Sequence, residues 1–135
     1  MKKLEVEAKV ENLAAVMAFV DEILEEAECS VKAQMQIDIA VEEIFTNIAY
    51  YAYAPGTGDA VVQVEITSEP RCAVLTFADH GMQYNPLAKA DPDVTLSAEE
   101  RNIGGLGIFM VKKSMDEVSY EYRDSQNIFT IKKKI

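Results

Sequence analysis

The sequence lacks a basic face, a long apolar run and a closely spaced pair of cysteines, and each absence removes a class of function. Lys and Arg together number 13 against 23 Asp and Glu, a formal net charge of −10. Such a surface repels phosphate backbones and anionic lipid headgroups, so neither nucleic acid nor membrane is expected as a partner. No segment is long and apolar enough to span a bilayer. The first residues, MKKLEVEAKV, alternate charged and apolar side chains where a secretory signal would continue apolar. Cys29 and Cys72 form no CxxC pair and suit a reduced, cytoplasmic chain. His80 is the only histidine, and no Cys, Asp, Glu or His set stands at metal spacing around it, so it is given no catalytic role. With no repeat and no low-complexity segment, residues 1–135 read as a single domain, long enough to bury a core without disulfides.

What is present is an alternation of periods. Hydrophobic content of 49% and charged content of 27% are ordinary for a globular chain. Residues 3–10 alternate as a half-buried strand, with Leu4, Val6, Ala8 and Val10 on one side. From about Asn12 the period becomes helical, with a stripe of Leu13, Val16, Val20, Ile23 and Ala27. The outer face of that helix is acidic (Asp21, Glu22, Glu25, Glu26, Glu28), either a solubilising face or a docking surface. Ser30 is placed to cap a second helix. Residues 55–59, PGTGD, break the chain, and Val62, Val64 and Ile66 alternate into a strand. Glu69-Pro70-Arg71 reads as a hairpin turn, leading to CAVLTFAD (72–79), a strand apolar on both faces and therefore central. Residues 86–103 are polar and broken by prolines, the pattern of a lid, and IFMVKKSM (108–115) is an apolar helix. Val118, Tyr120 and Tyr122 alternate; residues 124–127 turn the chain; residues 128–131 return as a final strand, and Lys132-Lys133-Lys134 reads as a solvated end. The six methionines are scattered and read as core filler. These elements predict a two-layer α/β sandwich, with a mixed, mainly antiparallel sheet of about five strands and helices on one face.

Three constellations carry chemistry. In residues 37–53, Ile37, Val41, Ile44 and Ile48 form a buried stripe, and Glu43 and Asn47, four apart, share one face at its edge. A carboxylate and a carboxamide so placed can hold a proton, a water or a metal ion against a rigid wall. Asp79 ends the central strand with Gly81 two residues on, so a carboxylate looks into a pocket past bare backbone. Gly104, Gly105 and Gly107 open the helix at 108, where backbone can approach a phosphate and the helix end supplies free N–H groups. No Gly-Lys-Ser/Thr closes this loop, so it is not a P-loop, and Met110 stands where a dinucleotide fingerprint needs its third glycine.

The order of these pieces resembles the Bergerat-fold ATPases, the superfamily that includes DNA gyrase and the histidine kinases. The N-box would be EEIFTNIAYYAY (42–53), the first glycine box DHGMQYNP (79–86) and the second GGLGIFMV (104–111). Within it the chain is most similar to the anti-sigma-factor serine/threonine kinases of bacterial partner-switching systems. The Glu43-x-x-Thr46-Asn47 core, Arg101 before the glycines, and Met115-Asp116-Glu117-Val118 after them carry this narrower likeness, which spans nearly the whole chain.

The resemblance implies ATP or ADP with Mg²⁺ as ligands. Asp79 would accept from the adenine amino group, with Gly81 leaving room for the base. Asn47 would coordinate Mg²⁺, and Glu43 would be the general base toward the attacking hydroxyl. Gly104, Gly105, Leu106 and Gly107 would hold the phosphates, and Arg101 would meet the γ-phosphate. It further implies phosphorylation of an anti-anti-sigma antagonist, with a sigma factor and a second copy of the chain (a homodimer) as further partners. The alternative is a nucleotide-dependent binding module that sequesters a partner without significant kinase activity; an intact Glu43 favours the enzyme. The chain departs from the family at Tyr51, where a histidine usually follows the N-box asparagine four residues on.

Overall fold

A computed structural model describes residues 1–88 and 105–135 of the chain, with the side chains of 105 and 106 left aside. Five strands form one sheet: β1 (Lys2–Glu7), β2 (Asp59–Thr67), β3 (Cys72–Asp79), β4 (Glu117–Arg123) and β5 (Gln126–Lys134), in the order β1-β2-β3-β5-β4. The expectation of a mainly antiparallel sheet holds, and each of the four pairings is antiparallel. The strand read as central, β3, is third of the five.

Strand parity sets the core. Ala73, Leu75 and Phe77 of β3 are buried on one face, opposite Val62 and Val64 of β2 and Phe129 and Ile131 of β5. Three helices cover this face: α1 (Leu13–Glu26), α2 (Val31–Asn47) and α3 (Gly105–Ser114). α1 buries Val16, Val20 and Ile23 of the expected stripe and Leu24 beside them, while Leu13 and Ala27 at the two ends of the stripe are half-buried. α2 starts where expected, the Ser30 hydroxyl accepting from the Ala33 N–H at 3.2 Å, and buries Ala33, Ile37, Ala40, Val41, Ile44 and Phe45. Each such Val, Leu, Ile or Phe contributes about 1.5–3 kcal/mol by leaving water. Among the described residues no helix is long and apolar enough to cross a membrane.

Two readings are corrected. The turn before β5 is two residues, Asp124 and Ser125, with φ of 54° and 62°, the left-handed pair of a tight hairpin. Gln126 and Asn127 therefore belong to the strand. Lys132-Lys133-Lys134 is not a solvated end: β3 needs partners along its whole length, and these lysines pair with Val74, Ala73 and Cys72. Most of the expected lid, from residue 89 on, lies outside the described residues.

Candidate functional site

The face of β3 that carries Leu75 and Phe77 ends on Asp79, so parity aims its carboxylate into the helix side of the sheet. Asp79 and Asn127 are the two buried polar side chains among the described residues, 5% and 7% exposed, and they sit opposite each other in register across β3 and β5. Asp79 Oδ1 accepts from the Gly81 N–H and from Asn127 Nδ2, each at 2.9 Å. Both bonds fall on one oxygen, and neither uses Oδ2. Asn127 also donates to the Met82 carbonyl at 2.9 Å, and its Oδ1 accepts from the Tyr120 hydroxyl and the Tyr84 N–H. A buried amide with donors and acceptors filled on both ends holds one orientation.

Gly81 then packs on the chain that leaves α2. A Cβ there would overlap the Ala52 carbonyl, which accepts from the Met82 N–H at 2.9 Å. Ala52 closes a π-helical turn over Ile48–Ala52, directly after Asn47. The extra residue of that turn leaves Tyr50 and Tyr51 exposed with their rings 6.2 Å apart, and brings Tyr53 back inward. The Tyr53 hydroxyl donates to the Asp59 carbonyl at 2.6 Å and accepts from the His80 N–H at 2.7 Å. His80 itself is exposed, its ring Nε2 3.0 Å from the Gln126 side-chain amide.

On α2, Asn47 Nδ2 donates to Glu43 Oε1 at 3.1 Å. A carboxylate only accepts, so the amide turns its NH₂ inward and its Oδ1 away from Glu43. Burial pushes the Glu43 carboxyl above the usual range; the Asn47 donor opposes the rise and the charge of Glu42 adds to it. Across from it stands Gly107, where a Cβ would run into the Glu43 carboxyl group. The first turn of α3 thus crosses the pair at bare backbone.

The structure therefore brings Glu43, Asn47 and Gly107 together, and joins Asp79 and Gly81 to the end of the same helix through Ala52. Gly105 and Leu106 open α3, while Arg101 and Gly104 lie outside the described residues. Among the described residues no three His, Cys, Asp or Glu side chains gather as a metal cluster. Asn127 was missed because it was assigned to the turn. Counting back by twos from Ile131 and Phe129 places it on the core face, and an amide there is the signal that would have found it.

Residues 6–133 match the family model described as the histidine kinase-like ATPase domain. A serine-protein kinase, RsbW, from Listeria monocytogenes is 27% identical over 133 residues, covering 96% of this chain and 84% of its own. A serine/threonine-protein kinase, BtrW, from Bordetella bronchiseptica is 26% identical over 102 residues, covering 76% of this chain and 71% of its own. Among solved structures, the SiaB–SiaC complex from Pseudomonas aeruginosa superposes on the whole chain and 90% of its counterpart with a TM-score of 0.65 at 16% identity. The Acinetobacter baumannii histidine kinase AdeS gives a TM-score of 0.51 at 15% identity, over 99% of this chain and 68% of its own. At these identities the two structures speak to the fold.

Proposed function

We propose that this chain, which belongs to the histidine kinase-like ATPase family, is a serine/threonine protein kinase of a bacterial partner-switching system. It transfers the γ-phosphate of ATP to a hydroxyl of an anti-anti-sigma antagonist and, as an anti-sigma factor, sequesters a sigma factor. The names of the similar kinases support the reaction class. The observation that carries the reading is Glu43, a half-buried carboxyl of raised proton affinity, bonded to Asn47 one turn on and facing the bare first turn of α3.

In the proposed step the acceptor hydroxyl oxygen bonds to the γ-phosphorus and the bond from that phosphorus to the ADP oxygen breaks. The hydroxyl proton passes to Glu43, whose raised proton affinity makes it a stronger base than an exposed glutamate. Gly104, Gly105, Leu106 and Gly107 would offer backbone N–H groups to the phosphates at the start of α3, and Arg101 would meet the γ-phosphate. Asp79 Oδ2 accepts from the adenine amino group. Asn47 Oδ1, turned from Glu43, is a hard oxygen that fits Mg²⁺, an ion that takes most of its other ligands from phosphates and water. Bound there, Mg²⁺ would neutralise phosphate charge.

Thermal melts and calorimetry with MgATP test the nucleotide site. ATP or ADP with Mg²⁺ raises the melting temperature, GTP much less, and Asp79→Asn largely removes the shift. Gly81 and Asn127 hold an oxygen of residue 79, so the new amide turns its NH₂ toward the adenine amino group, donor against donor. Wild-type affinity in Asp79→Asn sinks the adenine assignment. Labelled ATP with the antagonist encoded beside this chain then tests transfer; MgATP binding without transfer makes the chain a binding module.

A further inference from the structure

Val31, Met35 and Ile39 are 76%, 60% and 59% exposed, three large apolar side chains spaced four apart on α2. They form one line on the face opposite the buried Ile37, Val41 and Ile44. Single exposed hydrophobics need no explanation, but an aligned stripe on a helix is the form of a protein-binding surface. The next position in the same four-residue step is Glu43, about 6 Å further along the helix axis. The stripe therefore leads directly to the carboxyl group at the candidate site.

Its rim is acidic. α1 runs along one flank, tied to α2 by Gln34 Nε2 donating to Asp21 Oδ1 at 3.2 Å. That flank exposes Glu22, Glu25 and Glu28, and α2 itself exposes Glu42 and Lys32, while Lys2 pairs with Glu26 at 3.4 Å. A second copy laid on this face would bring like charges together, and a basic partner would not.

We infer that the outer face of α2 is the dock for the phosphoacceptor protein, which presents an apolar element rimmed by lysine or arginine and thereby brings its hydroxyl to Glu43. This rests on the kinase reading above. Docking on the helix that bears the base converts partner binding into positioning of the reacting hydroxyl. It also accounts for a methionine on the outside of a helix, where flexible thioether contacts suit a protein surface.

The test is calorimetric titration of the full chain with the antagonist protein, alongside phosphotransfer, for wild type, Met35→Asp, Ile39→Asp and Glu25→Lys. All three positions lie on helix surface, and an unchanged melting shift with MgATP verifies that each variant is folded. Either apolar substitution weakens antagonist binding by roughly tenfold or more, the effect of losing an interface anchor. Glu25→Lys weakens it less and reduces its salt dependence. Wild-type affinity in both Met35→Asp and Ile39→Asp overturns the dock. So does a wild-type dimer that either substitution turns into a monomer, because the face then belongs to a second copy. Weakened binding with no transfer by wild type sustains the dock and sinks the kinase reading alone; no antagonist binding by wild type sinks both.

Discussion

Asp38 and Glu43 stand five residues apart on α2, both half-buried, and burial is the largest cause raising the proton affinity of each. Their neighbours differ. Asp38 faces the carboxylates of Asp21 and Glu25 on α1, and its Oδ1 is sealed from water without a hydrogen-bond partner. Its carboxyl is pushed up to about 7. Glu43 faces an amide donor, Asn47, which stabilises its charged form against the same burial. One carboxyl thus holds its proton up to about pH 7 between two helices; the other keeps a donor for its charged form, as the proposed base requires. Burial makes a carboxylate unusual, and the donor beside it decides what it can do.

The largest expected effect separates the two carboxyls. Glu43→Ala keeps MgATP affinity but loses phosphotransfer by roughly 10²–10⁴-fold, the range for removing a general base. Asn47→Ala loses Mg²⁺-dependent nucleotide affinity instead, and Asp38→Asn leaves both intact. Calorimetry with MgATP and a transfer assay on all three variants check this. Transfer at the wild-type rate in Glu43→Ala would mean the base is elsewhere.

A smaller effect sharpens what holds Glu43. Gly107→Ala drives a methyl group into the Glu43 carboxyl, the free end of a flexible side chain. The carboxyl must therefore swing aside at a small cost, about 1 kcal/mol, the low end for overpacking. Melting curves should record the loss, and transfer should fall by less than in Glu43→Ala. If Gly107→Ala is as stable and active as wild type, α3 does not fix the carboxyl.

The smallest effect lies at Asp38. Its folded value of about 7 stands above the roughly 3.9 of an unfolded chain, so the folded state binds this proton more tightly. That contribution is fully present below about pH 4 and is lost as pH rises through about 7. Asp38→Asn, which can donate to Asp21 at every pH, flattens the decline in melting temperature between pH 5.5 and 8. An identical slope in wild type and variant would remove Asp38 from the account.

Much of this contrast is legible in the sequence for one reason: helix spacing is rigid. Glu43 and Asn47 must share a face once α2 exists, and Asp79 must end β3 once the apolar run is read as a strand. What escapes is whatever depends on a single residue's register. Asn127 falls on the core face only if the preceding turn has two residues, and Asp124-Ser125 is not a strong signature for that. The π turn at Ile48–Ala52 leaves no mark that an ordinary helical stripe would not, so the outward placement of Tyr50 and Tyr51 follows only from the structure. The closeness of Asp38 to Asp21 depends on how α1 and α2 pack, which neither stripe specifies.

The bond from Asn127 to Asp79 spans 48 residues of chain, and that span has a consequence for biosynthesis. A nascent chain that has emerged only as far as β3 already contains Glu43, Asn47 and Asp79. It still lacks the amide that orients Asp79, and β3 keeps an open edge until β5 pairs with it. Closing so long an excursion costs loop entropy before any contact repays it. The proposed nucleotide pocket is therefore complete only after β5 has left the ribosome and docked, so stabilisation by ATP would come too late to guide the earlier strands.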